Sequence, residues 1–186
     1  MYFIPNVIST TAIAFLWYFV YHADAGLLNV FLEGIGAGHL TRAWLGSIDT
    51  AQIFIQVPFV LYAGLTMIIF LTQLSTIPDD LYEAADIDGA SSLQKDFYIS
   101  IPLIKPALII NIMLNVAFCL RNFEYPFLMT SGGPANTTMN LSLYIFREMM
   151  GANRYGISMV AGLVTVLLGL LLMGIVALLN RRGVFR

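Results

Sequence analysis

The sequence predicts an all-α membrane protein with four transmembrane helices, and three observations carry that prediction. Of 186 residues, 59% are hydrophobic and only 11% are charged, against roughly 25% charged in a soluble domain. That is too few charges to solvate the surface of a water-soluble globule of this size. The mean hydropathy is +0.81. Finally, the chain holds four segments of the ~20 mostly apolar residues needed to cross ~30 Å of hydrocarbon. The same composition excludes other classes. Disorder requires low hydrophobicity with high charge, and a nucleic-acid binder shows a basic stripe, whereas the net charge here is −2. The single cysteine, Cys119, excludes an internal disulfide and a multi-cysteine metal site.

The first segment, residues 3–21, is uncharged but holds Pro5, Asn6, Ser9, Thr10 and Thr11. The second, 53–76, lies in a stretch from Thr50 to Pro78 without Asp, Glu, Lys, Arg or His. The third, 102–125, carries Lys105 near its start and Arg121 and Glu124 near its end. The fourth, 156–179, is charge-free and rich in Leu and Val. Four crossings put both termini on one side, and the bias of Lys and Arg toward the cytoplasm chooses the side. Lys95, Lys105, Arg181, Arg182 and Arg186 fall on one side, and Arg42, Arg147 and Arg154 on the other. Both termini and the loop 77–101 are therefore expected in the cytoplasm, and the loops 22–50 and 130–155 outside. Within the second outer loop, Thr130-Ser131-Gly132-Gly133-Pro134 reads as a tight turn, and Asn140–Met150 as a short interfacial helix.

The loop 77–101 is the least membrane-like part of the chain, holding six of the 11 acidic residues: Asp79, Asp80, Glu83, Asp86, Asp88 and Asp96. Pro78 ends the preceding segment and starts a new helix, with Asp79 and Asp80 favourable at its positive end. Gly89 stops that helix as a left-handed C-terminal turn. A second helix follows with Ser91 or Ser92 as N-cap and with Leu93, Phe97 and Ile101 on one face. Such an elbow, acidic outside and alanine-lined inside, fits a groove on a soluble partner; an ordinary solvated connector has the same pattern.

Glu83-Ala84-Ala85, then Asp88-Gly89-Ala90, then Ile101-Pro102, resembles the EAA loop of the permease subunits of type I ABC importers. Ser100-Ile101-Pro102 stands where the family usually has Thr-Leu-Pro. Pro5-Asn6-Val7-Ile8-Ser9, Trp17, Gly26-Leu27-Leu28-Asn29, the Thr130–Pro134 turn and Tyr155-Gly156-Ile157-Ser158 narrow the resemblance to the carbohydrate-uptake branch, the maltose and glycerol-3-phosphate type. The resemblance implies a single type I transmembrane domain over 1–186, matching the C-terminal part of a six-helix core and lacking two N-terminal spans. It implies partners: ABC ATPase subunits, a second homologous permease and an extracytoplasmic sugar-binding protein docked on 22–50 and 130–155. It places the chain in a bacterial or archaeal cell membrane. Glu83, Ala84, Ala85, Asp88, Gly89 and Ala90 would form the ATPase-docking loop, with Glu83 paired to a basic residue there. The chain has no G-x-x-x-x-G-K-[ST] phosphate loop. It is thus not expected to be an enzyme or to bind a cofactor, and ATP and Mg²⁺ would belong to the partner ATPase.

A sugar pathway calls for uncharged hydrogen-bonding groups on one helix face. Asn111, Asn115, Asn122 and Tyr125 share one face, the last three within about 40° of Asn111 at 3.6 residues per turn. Carboxamides offer sugars both donors and an acceptor; equally, intramembrane Asn residues bond helices together. Tyr62 and Phe15 could stack on sugar rings, and Thr11 could line the path or bond its own helix. Ser158, Gly162, Thr165 and Gly169 form a small-residue stripe suited to close helix packing. Cys119 reads as a small buried thiol, and Arg121 and Glu124 as a pair or as snorkelling ends. His22 and His39 lack ligand spacing, so no metal site is expected. Two rival functions remain at this point. A secondary transporter or channel would need an intramembrane titratable relay, and no Asp, Glu or His lies mid-span. The other rival is a non-functional permease fragment.

Overall fold

The computed structural model describes residues 4–181, less the side chains of Ile4, Pro5, Leu61, Tyr62 and Arg181. Every regular element among the described residues is helical. The α-helices are α1 (Thr10–Val20), α2 (Leu27–Gly34), α3 (Ile48–Phe54), α4 (Ala63–Leu74), α5 (Asp79–Ile87), α6 (Ser92–Lys95), α7 (Ile101–Leu103), α8 (Lys105–Arg121), α9 (Leu141–Phe146) and α10 (Tyr155–Arg181). Three π-helical turns, Asp96–Ser100, Pro126–Thr130 and Arg147–Gly151, were not legible in the apolar periodicity.

By length and composition, Lys105–Thr130 and Tyr155–Asn180 can each cross a membrane. A third crossing is available if Ile48–Val60 and Ala63–Leu74 count as one broken span. These stretches overlap the expected third, fourth and second segments. The first differs from expectation, because α1 has 11 residues, a rise of only ~17 Å. Ser9 adopts extended backbone (φ −55°, ψ 133°) ahead of it. Before that lies a separate 3-10 turn at Ile4–Val7; Phe3 falls outside the described residues. The second segment is not one continuous helix. Pro58 lacks the backbone donor and crowds the carbonyl four residues earlier, so the chain runs through Val57–Tyr62 as a 3-10 turn before α4 begins.

The chain divides into two compact units, residues 1–63 with 120–166, and 64–119 with 167–186. The first unit is built on aromatic contacts. Ile13, Ala14 and Tyr21 of α1 and its C-cap bury against Ile55, Tyr125 and Met129. Trp17 lies 5.1 Å from Tyr21, Tyr21 meets Phe54 edge-on at 4.9 Å, and Phe54 lies 4.7 Å from Trp44. Such pairs add ~0.5–1.5 kcal/mol each beyond the area they bury. The loop after α2 is tied down by one side chain. Asn29, buried, donates Nδ2 to the carbonyls of Ala23 (2.8 Å) and Arg42 (3.1 Å). Its Oδ1 accepts from Trp44 Nε1 (2.7 Å) and Arg42 N (3.4 Å). The Arg42 guanidinium in turn lies 5.3 Å from the Trp44 ring centroid.

In the second unit the segment α5–α7 folds on itself. Lys95 Nζ pairs with Asp86 Oδ1 at 2.7 Å. Ser100 Oγ donates to Asp96 (3.3 Å), so its contact with Tyr82 Oη (2.9 Å) is donated by the tyrosine. Along α10, which begins in the first unit and ends in the second, none of the most apolar 18-residue window is buried among the described residues.

Replacing Asn29 with Leu should remove all four polar contacts and strand the Trp44 indole N–H and two carbonyls. Each buried group left unsatisfied costs ~1–3 kcal/mol, so the detergent-solubilised protein should unfold at a clearly lower temperature. Limited proteolysis should then cut first within residues 22–47. An unchanged midpoint would show that Asn29 does not hold this loop.

Candidate functional site

The acidic elbow forms as its residues dictate. Pro78 sits at the N-cap of α5 with extended backbone (ψ 136°), and Asp79 and Asp80 occupy the first turn, where carboxylates complement the helix dipole. The helix closes with two reverse bonds, Ala90 N to Ala85 O (2.9 Å) and Gly89 N to Asp86 O (3.1 Å). This is the paired pattern that requires a left-handed residue between them, and Gly89 supplies it at φ +75°. Ser91, not Ser92, caps α6 in a reciprocal box: Gln94 N donates to Ser91 Oγ, and Ser91 N donates to Gln94 Oε1 at 2.8 Å.

Glu83 is exposed and, among the described residues, forms no hydrogen bond or ion pair within the chain. Ala84 is exposed and Ala85 half-buried. The expected alanine-lined inner face is therefore corrected, because α5 is too lightly covered to have one. The apolar residues stay outside as well: Ile87 is 88% exposed and Tyr98 81%, with Leu93 and Phe97 also open. The elbow thus exposes large apolar side chains together with its carboxylates, a combination found at interaction surfaces.

The polar stripe is only partly continuous. Asn111 and Asn115 lie on one face of α8, and each donates Nδ2 to the carbonyl four residues back, Ala107 (3.0 Å) and Asn111 (2.8 Å). Among the described residues neither carboxamide bonds a neighbouring helix. Asn111 is buried and Asn115 exposed. Asn122 lies just past α8, where two residues leave the helical path, so helical arithmetic does not carry from Asn115 to Asn122 and Tyr125. Tyr125 is fully buried, its ring 5.2 Å from Phe59 in the first unit's core. Thr11 is exposed, while the Tyr62 side chain lies outside the described residues. Cys119 is exposed, not buried, since α8 turns it away from this chain's own packing. Arg121 and Glu124 form no ion pair with each other among the described residues. In the small-residue stripe, Ser158 bonds the Ile145 carbonyl (3.0 Å). A Cβ at Gly162, however, would meet nothing within 4 Å among the described residues, so the stripe is not closely packed at that position by them.

The break after Arg121 exposes a second device that the sequence concealed. Asn140 caps α9 through Oδ1, accepting from Leu143 N (2.9 Å), and donates Nδ2 to the Asn122 carbonyl. Ser142 donates to the Leu120 carbonyl at 2.8 Å. Phe123, Phe127 and Phe146 close a triangle of ring contacts at 4.8–5.1 Å. Beyond them lies a cleft of about 560 Å³ lined by Asn136, Tyr144, Arg147, Glu148 and Arg154. An Asn three residues before an amide that needs a cap was the one readable signal here; the carbonyls it serves are eighteen or more positions away.

An all-helical chain with two helices long and apolar enough to cross a membrane and an exposed acidic elbow defines a membrane component. The model of one family, described as binding-protein-dependent transport system inner membrane component, matches residues 1–183. The chain belongs to that family. It is 36% identical over 159 residues to a probable ABC transporter permease protein of Bacillus subtilis, covering 81% of this chain and 54% of the relative. It is 33% identical over 172 residues to the trehalose/maltose transport system permease protein MalF of Thermococcus litoralis, covering 89% and 55%. To the diacetylchitobiose uptake system permease protein NgcF of Streptomyces coelicolor it is 32% identical over 185 residues, covering 96% and 52%. The chain thus spans about half the length of the curated relatives it matches. Its fold matches a chain of a bacterial ABC transporter involved in the import of the acidic polysaccharide alginate. The TM-score is 0.87 at 25% identity, covering 97% of this chain and 63% of that one.

Space beside Gly89 is open, with nothing within 4 Å of a Cβ, so any substitution there is resisted by backbone conformation alone. Gly89→Ala should cost ~1 kcal/mol and Gly89→Asn less, because Asn tolerates the left-handed region. Hydrogen exchange at the amides of residues 89 and 90 should rank them Gly, Asn, Ala from slowest to fastest. Equal exchange in all three would remove the conformational role.

Proposed function

We propose that this chain is the membrane-spanning permease part of an ATP-driven, binding-protein-dependent importer of a carbohydrate or polyol. The observation that carries the reading is the elbow. An exposed acidic helix ends at a left-handed Gly89, within the Glu83-Ala84-Ala85 pattern and in a chain of this family. The relatives' names, trehalose/maltose and diacetylchitobiose, support the carbohydrate class. In this reading the chain crosses the membrane four times with α1 as the first crossing, and both termini and residues 77–101 face the cytoplasm. Arg182 and Arg186, which enter the charge bias, lie outside the described residues.

Separate ATPase subunits bind ATP and Mg²⁺ and grip Glu83–Ala90. A second permease completes the path, and an extracytoplasmic binding protein delivers the sugar to residues 22–50 and 130–155. Closure of the ATPases moves the spans as rigid bodies between inward- and outward-facing states. Asn111, Asn115 and Asn122 are the proposed polar contacts along the pathway. Asn115 stands out because its side chain is open while its Nδ2 is held by the helix, so Oδ1 remains to accept from a sugar hydroxyl.

Glu83→Lys in the assembled transporter should abolish uptake, since a buried charge pair broken by reversal loses ~3–5 kcal/mol, while membrane insertion stays normal. Wild-type uptake in that variant would overturn the coupling role. Asn115→Leu combined with Asn122→Leu should change the substrate profile or stop transport. Transport with an unaltered profile would assign those side chains to packing.

A further inference from the structure

We propose that the cleft at Arg147 receives a carboxylate side chain of the extracytoplasmic binding protein, with the Arg147 guanidinium as its counter-charge. The proposal rests on the importer reading and names the chemistry of one of its contacts. Two guanidiniums and one carboxylate line the cleft. Glu148, 7% exposed, is already engaged by Arg154 in a fork, Nε to Oε2 at 2.7 Å and Nη2 to Oε1 at 2.8 Å. That pair is neutral in charge, with one hydrogen bond, Nη2 to Oε1, while Oε2 is in ion contact but accepts no aligned hydrogen bond among the described residues. Arg147 has no such partner. It is exposed and donates to the neutral Asn136 Oδ1 at 3.2 Å, and no carboxylate pairs with it among the described residues. The cleft therefore carries one uncompensated positive charge.

The surrounding backbone holds that charge in place. Arg147 opens the π-helical turn Arg147–Gly151, its carbonyl accepts from Ala152 N (3.0 Å), and Arg154 N donates to the Glu148 carbonyl (2.8 Å). Asn136 and Asn153 flank the cleft in left-handed conformation, φ +62° and +53°. Arg and Tyr dominate the energetic centres of protein interfaces, and Tyr144 stands partly exposed beside Arg147. A small-molecule site encloses ~70–90% of its ligand. This cleft is open to solvent, which suits the tip of a side chain delivered by a protein surface.

The test uses the assembled transporter, with the full chain, in lipid nanodiscs. It is titrated with the purified, fluorescently labelled solute-binding protein that serves it, at about 50 mM and about 500 mM salt, below and well above the screening of an exposed pair. Arg147→Glu should weaken binding by about 10-fold or more at the lower salt, the scale of a charged hydrogen bond, and flatten the salt dependence. Arg147→Lys should keep the salt dependence. One Asp→Lys or Glu→Lys change on the binding protein should restore affinity to Arg147→Glu but weaken binding to wild type. Equal affinity of wild type and Arg147→Glu would overturn the cleft assignment while leaving the importer reading intact. Absence of binding by the wild type would overturn both.

Discussion

A chain that crosses hydrocarbon must satisfy its backbone N–H and C=O groups from within, because each one left bare costs several kcal/mol there. This chain departs from unbroken helix inside its apolar stretches, so it must answer that requirement with side chains. The clearest case is the gap after Arg121. The carbonyls of Leu120 and Asn122 are capped by Ser142 and Asn140 from the N-terminus of α9, and Asn140 at the same time caps α9 itself. One amide thus closes two helix ends. Remove that exchange and neither the Phe123–Phe127–Phe146 contacts nor the cleft at Arg147 has a fixed frame.

The same logic explains why irregular backbone gathers in a few places. Three π-helical turns and four left-handed non-glycine residues all lie outside the long apolar runs of α4, α8 and α10. In the turn after Thr130, Ser131 and Gly132 are both left-handed, and a Cβ at Gly132 would sit 2.7 Å from Met139 Cε. A side chain there would have to displace the flexible end of Met139 as well as adopt the left-handed conformation, whereas at Gly89 only conformation is at issue. Strained or unusual backbone persists where surrounding structure over-determines it, and here one instance closes the acidic elbow and the other opens the loop that leads to Arg147.

What could be read from the sequence followed from local chemistry. Most of the elbow's turns were legible, since proline, paired aspartates, glycine and a capping serine each act within four positions of where they stand, but the choice of Ser91 and its box with Gln94 came only from the structure. The two longest apolar helices were legible for the same reason. The aromatic core around Tyr21, Phe54 and Trp44 was not, because its partners are 10 to 33 residues apart and no spacing rule links them. Asn29 entered the sequence reading as the end of the Gly26–Asn29 motif, yet it is a buried hub, three of whose four bonds reach backbone and an indole thirteen to fifteen positions on. For the polar stripe, the helical angle held from Asn111 to Asn115 and failed past Arg121, where the helix ends.

Charge distribution completes the picture. A chain with only 11% charged residues cannot scatter them for solubility, so where they stand unpaired carries meaning. At the elbow, Lys95 neutralises Asp86, and Asp79, Asp80, Glu83, Asp88 and Asp96 have no cation of their own among the described residues. In the second loop the balance is reversed: Arg154 and Glu148 cancel, and Arg147 is left over. Exposed pairs contribute little to folding, and unmatched charges contribute less still. Complementary charge does, however, set the rate and selectivity with which partners meet. The surplus negative charge at the elbow and the surplus positive charge at Arg147 are therefore two local signals of opposite sign, and the proposed importer reading assigns one to each of two soluble partners.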